Sequence, residues 1–183
     1  MDAVSEVQLW HQSKNGDGRA FGSLFDLHQP RLYRAALRTA TTRTDAEDLV
    51  AMTFLELWRR RETVRIVEGS LLPWMLVTLD NLGRNTLRSA VRYRRLLSAL
   101  PKPSTDDTLL DEVEALQAER DAMRILRAMP PADAAILALT AIEGLSAAEA
   151  AAALGISPES ARARLSRARR RAQLQLAPEG NAP

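Results

Sequence analysis

Cysteine is absent from the 183 residues, which excludes disulfides, thiolate zinc sites and cysteine nucleophiles. Histidine occurs only at His11 and His28, without the HxxxH or HExxH spacing of a metal-binding helix. Lysine is nearly missing too. Every cationic side chain except Lys14 and Lys102 is arginine, whose planar fork suits phosphates and base edges. No apolar run approaches the roughly 18 residues of a membrane span, and Met1 to Leu9 carries Asp2 and Glu6 where a signal peptide would be basic and then apolar. Gly16 and Gly18 lack the Gly-Lys-Ser/Thr that completes a phosphate-binding loop, and the carboxylates sit on helices beside arginines. The expectation is a soluble, cytoplasmic protein that is not an enzyme, with no membrane insertion, no cofactor and no metal.

What is present is helical periodicity. Apolar residues recur at i, i+3 and i+4 almost throughout, and strand-like alternation is never sustained, so the chain is expected to be all-α. Its length suits one domain or two small ones. Val7 to Lys14 reads as a short helix stopped by Asn15, Gly16, Asp17 and Gly18, and Phe21, Leu24, Phe25, Leu32 and Leu37 continue a longer stripe in which Pro30 is a candidate kink. Ala46, Leu49, Val50, Thr53, Phe54 and Leu57 form one helix face, with Trp58 at its end counted as core. Thr44 and Glu47 offer a capping box, which places that helix's start at Thr44. Glu62 to Ser70 loses the period and reads as a loop. Helix resumes near Leu71, with Pro73 in its first turn, and runs to about Leu97. In the second half, Val113, Leu116, Met123 and Leu126 mark one helix, and Ile136, Leu137 and Leu139 another beyond Pro130 and Pro131.

The formal net charge of +2 hides a sharp division. Asn81 to Thr105 holds six basic residues and no acid, whereas Asp106 to Asp121 holds seven acids and one arginine. Pro101, Pro103, Ser104 and Thr105 give linker chemistry at this boundary. The expected organisation is a helical domain over 1–98, a flexible linker over 99–121, a second helical domain over 122–177 and a tail over 178–183.

Leu145 to Arg171 carries the most specific local pattern. Ser146 and Glu149 make a capping box, Ala150, Ala151 and Leu154 an apolar stripe, and Gly155 a left-handed helix stop. Ser157 then caps a new helix with Pro158 at its first position. Helix, three-residue turn and helix is a DNA-reading motif whose second helix enters the major groove. On a helical wheel Ala161, Leu165, Ala168 and Ala172 face inward, while Arg162, Ser166, Arg169 and Arg170 share the opposite arc with Arg167 at its margin. A solvated helix on any small bundle can also be arginine-rich, but the caps and the packing face together favour the DNA reader. Arg84, Arg88, Arg92 and Arg95 form a second cationic stripe, interleaved with Asn81, Asn85 and Tyr93.

Several segments, in this order, resemble the bacterial RNA polymerase sigma factors called extracytoplasmic function, or ECF, sigma factors, group 4 of the sigma-70 family. Gly16 and Asp17 through Ala20 and Phe21 look like the family's first region. Asp45 to Val50 with Thr53, Phe54 and Trp58 looks like region 2.2, Trp74 with Asn81, Leu87 and Arg88 like regions 2.3 and 2.4, and Leu145 to Arg169 like region 4.2. The fold implied is a region 2 domain and a region 4 helix-turn-helix domain joined by the linker. Asp45, Glu47, Asp48 and Phe54 would then dock on core polymerase at the β′ clamp, and region 4 would meet the β flap. Glu62, Val64, Arg65, Gly69 and Ser70 would capture an unstacked base of a partly single-stranded −10 element, and Trp74, Asn81, Arg84 and Arg88 would touch the same region. Ser160, Arg162, Arg164, Arg167 and Arg169 would engage a double-stranded −35 element. An anti-sigma factor is a further partner the resemblance implies. The chain departs from the family's usual pattern at Ala51, Met52, Asp80, Asn85 and Ala134. The competing reading is a stand-alone helix-turn-helix regulator, which usually dimerises to match two half-sites. The second basic helix here favours two different DNA-contacting modules instead.

Overall fold

The computed structural model describes the backbone of residues 5–96 and 117–176, and the side chains of residues 5–86 and 121–176. The chain divides into two compact units, Met1–Val113 and Glu114–Pro183. Regular structure among the described residues is helical apart from one isolated bridge between Val67 and Ser70.

In the first unit, α1 spans Glu6–Lys14, α2 Gly18–Leu37, α3 Arg43–Arg59 and α4 Leu72–Leu96. Ser5 and Gln8 close a capping box at the start of α1. Asp17 belongs to the next helix and not to the stop: its Oδ1 accepts from the amides of Arg19 and Ala20, and Gly18 is already helical. The helix α2 runs through Pro30 without interruption. Its buried stripe is Ala20, Leu24, His28, Leu32, Ala35 and Ala36, a helical spacing that faces α1, α3 and α4. Fully burying a leucine such as Leu24 or Leu32 stabilises by about 1.5 to 3 kcal/mol.

Two expectations are corrected here. The cap of α3 is Thr42, with Asp45 completing the box; Thr44 lies inside the helix. An aspartate three residues on serves the same reciprocal bonding as glutamate, so the earlier frame won and gained half a turn. Trp58 is 37% exposed and so is not core. It sits at the rim, edge-on to Phe21 at 5.5 Å and beneath the Arg61 guanidinium at 4.7 Å. Of the two histidines, His28 is buried, at 4% exposure.

In the second unit, α5 spans Gln117–Arg127, α6 Pro131–Leu137 followed by a π-helical turn at Ala138–Ile142, α7 Ala147–Leu154 and α8 Pro158–Leu176. Gln117 to Asp121, assigned to the linker from sequence, are therefore helical; the rest of that linker, the end of α4 beyond Leu96 and the tail lie outside the described residues. One core cluster joins Ile125, Met129 and Ala168 with Ala134, Leu137 and Ala172 packed against it, and Ile136, Leu139, Ala150 and Leu165 are buried as well. Met123 and Leu126, expected inside, are only half-buried. The buried Asp133 bonds to Arg171, tying α6 to α8.

Candidate nucleic-acid interface

The helix-turn-helix is built by three local devices. Ser146 accepts from the Glu149 amide and the Glu149 carboxylate accepts from the Ser146 amide, which fixes the start of α7. Gly155 ends it at φ +64°, a conformation glycine adopts without strain. Ser157 Oγ then accepts from the Ser160 amide at the first turn of α8. Ala161, Leu165 and Ala168 are buried, so α8 can turn only its other side outward. That side carries Ser160, Arg162, Ser166, Arg167, Arg169 and Arg170, all exposed, while Arg164 is half-buried at the border. Arg162 sits 3.3 Å from Glu159 in a solvated pair. Hydrogen bonds from its own amide and from Ser157, with Arg162 nearby, hold the Glu159 carboxyl below its ordinary value. Of the expected −35 residues, Ser160, Arg162, Arg167 and Arg169 are thus exposed on α8, and Arg164 is half-buried.

The expected −10 residues lie in the loop after α3 and along α4. Glu62, Arg65 and Gly69 are exposed, and Val64, Ser70 and Trp74 half-buried. A two-residue reversal closes the loop: Val67 and Ser70 exchange amide bonds of 2.9 and 3.0 Å around Glu68 at φ +50° and Gly69 at φ +79°. Two successive positive φ values are what a type I′ turn needs. On α4, Asn81 is exposed and accepts from Arg84 at 3.0 Å. Arg84 is also 2.5 Å from Asp80. The side chain of Arg88 lies outside the described residues.

Of the residues expected to dock on polymerase, Glu47 and Asp48 are exposed on α3. Asp45 is engaged in the cap of its own helix. Phe54 is buried and packs on Phe25 at 4.7 Å between ring centroids, so it supports the surface from beneath. The apolar surface beside those acids is made by Met52 and Leu55, which lie off the expected stripes, and by Phe25 and Trp58, which were counted in them; all four are at least 36% exposed. An open groove of about 540 Å³ runs beside them, lined by Phe21, Phe54, Leu55 and Trp58 with the Gly16–Gly18 turn. Part of the signal was present in the sequence, because the large apolar residues at 52 and 55 fall out of phase with the buried stripe of α3.

Among the described residues no group of three or more His, Asp or Glu side chains could hold a metal ion, and no helix is long and apolar enough to cross a membrane.

Comparison with known proteins accounts for both units. Residues 24–93 match Sigma-70 region 2 and residues 119–171 match Sigma-70, region 4. RNA polymerase sigma factor CarQ of Myxococcus xanthus is 31% identical over 160 residues, covering 84% of this chain and 87% of CarQ. The chain belongs to the ECF group of the sigma-70 family of RNA polymerase sigma factors. Probable RNA polymerase sigma factor RfaY of Xanthomonas campestris pv. campestris is 32% identical over 179 residues; these are 92% of this chain but only 43% of RfaY. The solved structure of CnrH in complex with the cytosolic domain of CnrY matches with a TM-score of 0.64 at 25% identity, over 97% of this chain and all of that one. These matches favour an ECF sigma factor over a stand-alone helix-turn-helix regulator.

Proposed function

We propose that this sigma factor directs core RNA polymerase to promoters through three surfaces. The helix α8 reads the −35 element with Arg162 as a base contact and Ser160, Arg164, Arg167 and Arg169 around it. The 62–70 loop and the outer side of α4 receive the opened −10 element through Glu62, Val64, Arg65, Gly69, Ser70, Trp74, Asn81, Arg84 and Arg88. Glu47 and Asp48, flanked by the apolar Met52, Leu55 and Trp58, dock α3 on the β′ clamp, while the second unit meets the β flap. The protein acts in the cytoplasm and supplies no catalytic group of its own. An anti-sigma factor belongs to the same reading, much as CnrH is seen with the cytosolic domain of CnrY.

The observation that carries this proposal is the exposed arginine face of α8, on a packed helix-turn-helix, in the same chain as a region 2 unit. Run-off transcription with purified core polymerase and fragmented DNA of the host genome tests it. Discrete transcripts that depend on this protein are expected; none, together with no complex between protein and core at micromolar concentration, refutes it.

A further inference from the structure

Glu6 lies in α1, before the residues matched to region 2, yet its side chain ends at the far side of the 62–70 loop. Three donors converge on its Oε1: His28 Nε2 at 2.8 Å, the Leu71 amide at 2.5 Å and Ser70 Oγ at 3.3 Å. The side chains of Glu6 and His28 are only 14% and 6% exposed. A carboxylate can only accept, so the imidazole presents Nε2–H to it. Burial pushes the Glu6 carboxyl upward, and the bonds from His28, Leu71 and Ser70 outweigh it, leaving the group below its ordinary value and charged.

The geometry fixes what this carboxylate holds. Ser70 closes the tight turn by pairing with Val67, and its Oγ accepts from the Leu72 amide at the first turn of α4. One oxygen of Glu6 therefore ties the end of the loop to the start of α4, and His28 anchors that oxygen to α2. Charge-assisted bonds of this kind are stronger than neutral ones, and the Leu71 amide, just before α4, finds its acceptor in this carboxylate. The Val67–Ser70 pair is an isolated bridge with no sheet to support it, so these bonds are what tie the turn to the start of α4.

We infer that Glu6, anchored by His28, is a positioning residue for −10 recognition: it clamps the turn so that the loop keeps the shape that receives an unpaired base. The inference rests on the proposed role of that loop. It assigns specificity to a residue of α1 that touches no DNA.

The test uses holoenzyme assembled from the full chain and core polymerase, with a DNA library randomised in two windows, one for each promoter element. The bound fraction is sequenced. In Glu6→Ala the preference at one −10 position is expected to fall about fivefold or more, the loss typical of a misplaced polar contact, with the −35 window and affinity for core unchanged. Glu6→Gln, which keeps an acceptor for the Leu71 amide, is expected to retain most of the preference. Glu6→Asp, which draws the charge back by one methylene, is expected to fall between them and decides the matter if Glu6→Ala does not fold. A Val64→Ala/Arg65→Ala double variant separates the two layers of the argument. If it alters the −10 profile while Glu6→Ala and Glu6→Asp match the wild type, the positioning role is wrong and the loop assignment stands. If it alters nothing, the loop assignment fails and the inference with it. Equal losses in both windows and in core binding would reduce Glu6 to a stabilising residue and overturn the inference as well.

Discussion

Asp80 and Arg84 stand one turn apart on α4, where the carboxylate lies 2.5 Å from the guanidinium. Burial pushes the Asp80 carboxyl above its ordinary value, against the downward pull of Arg84 and Arg38. Arg84 must leave this partner to meet a phosphate, so Asp80 works against the −10 contact assigned to its neighbour. Asp80→Asn is expected to strengthen holoenzyme binding to DNA opened at the −10 element and to steepen its salt dependence by about 0.7 to 0.9, one further phosphate. Binding measured across a salt series checks this; an unchanged slope would remove Arg84 from the interface. Asp80 and Glu6 give opposite pH responses. Glu6 is depressed in the folded state, so its stabilisation is complete above the ordinary glutamate value of about 4.3 and is lost as pH falls through its folded value. Asp80 is raised, so its ionisation removes stability as pH climbs through its folded value. Thermal unfolding followed from neutral to acid pH is expected to show a shallower acid loss for Glu6→Gln and a steeper one for Asp80→Asn than for the wild type. The Glu6 cluster was not legible in the sequence, because its members at 6, 28, 70 and 71 meet only once α1, α2 and the loop have packed.

Local chemistry made the elements far easier to read. Ser146, Glu149, Gly155, Ser157 and Pro158 act within a few residues of themselves, and the turn they specify is the turn the structure holds. The start of α3 shows the limit: Thr42 with Asp45 and Thr44 with Glu47 are both possible capping frames, and the structure uses the earlier one, which lengthens the helix by half a turn. Trp58 left its expected core position for a related reason. Periodicity gives the buried side of α3 but not the edge where α2 stops covering it. On α8 the exposed face allows a sharper statement. Arg162 projects near the helix N-terminus, where recognition helices approach bases, and Arg169 lies two turns later. Arg162→Ala is expected to flatten preference at one −35 position, at a cost of about 1 to 3 kcal/mol on the best sequence. Arg169→Ala is expected to weaken all sequences alike and to lower the salt slope by about 0.9. Alanine keeps helix propensity, so α8 remains formed in both. Binding of each holoenzyme to single-base −35 variants at two salt concentrations distinguishes them; a uniform loss in Arg162→Ala would contradict its base-reading role.

At the scale of the whole chain, the distribution of charge matters more than its sum. The seven acids between Asp106 and Asp121 are covalently joined to both units that carry arginine faces, while the formal net charge is only +2. A tethered acidic segment competes with phosphate at an effective concentration in the millimolar range, and salt screens that competition within about 8 to 10 Å. Free protein is therefore expected to bind DNA weakly until polymerase draws the linker away. Replacing Asp106, Asp107 and Asp111 by asparagine raises the charge by three, and any such rise attracts DNA to some extent. A matched control, Asp26→Asn/Glu47→Gln/Asp48→Asn, removes three exposed acids of α2 and α3 and measures that general attraction by itself. Fluorescence anisotropy of a labelled duplex with the free protein is expected to show the linker variant gaining at least about threefold more affinity than the control, with the difference shrinking at high salt. Equal gains in the two variants would mean that the linker contributes only its charge, and the masking of the arginine faces would have to be abandoned.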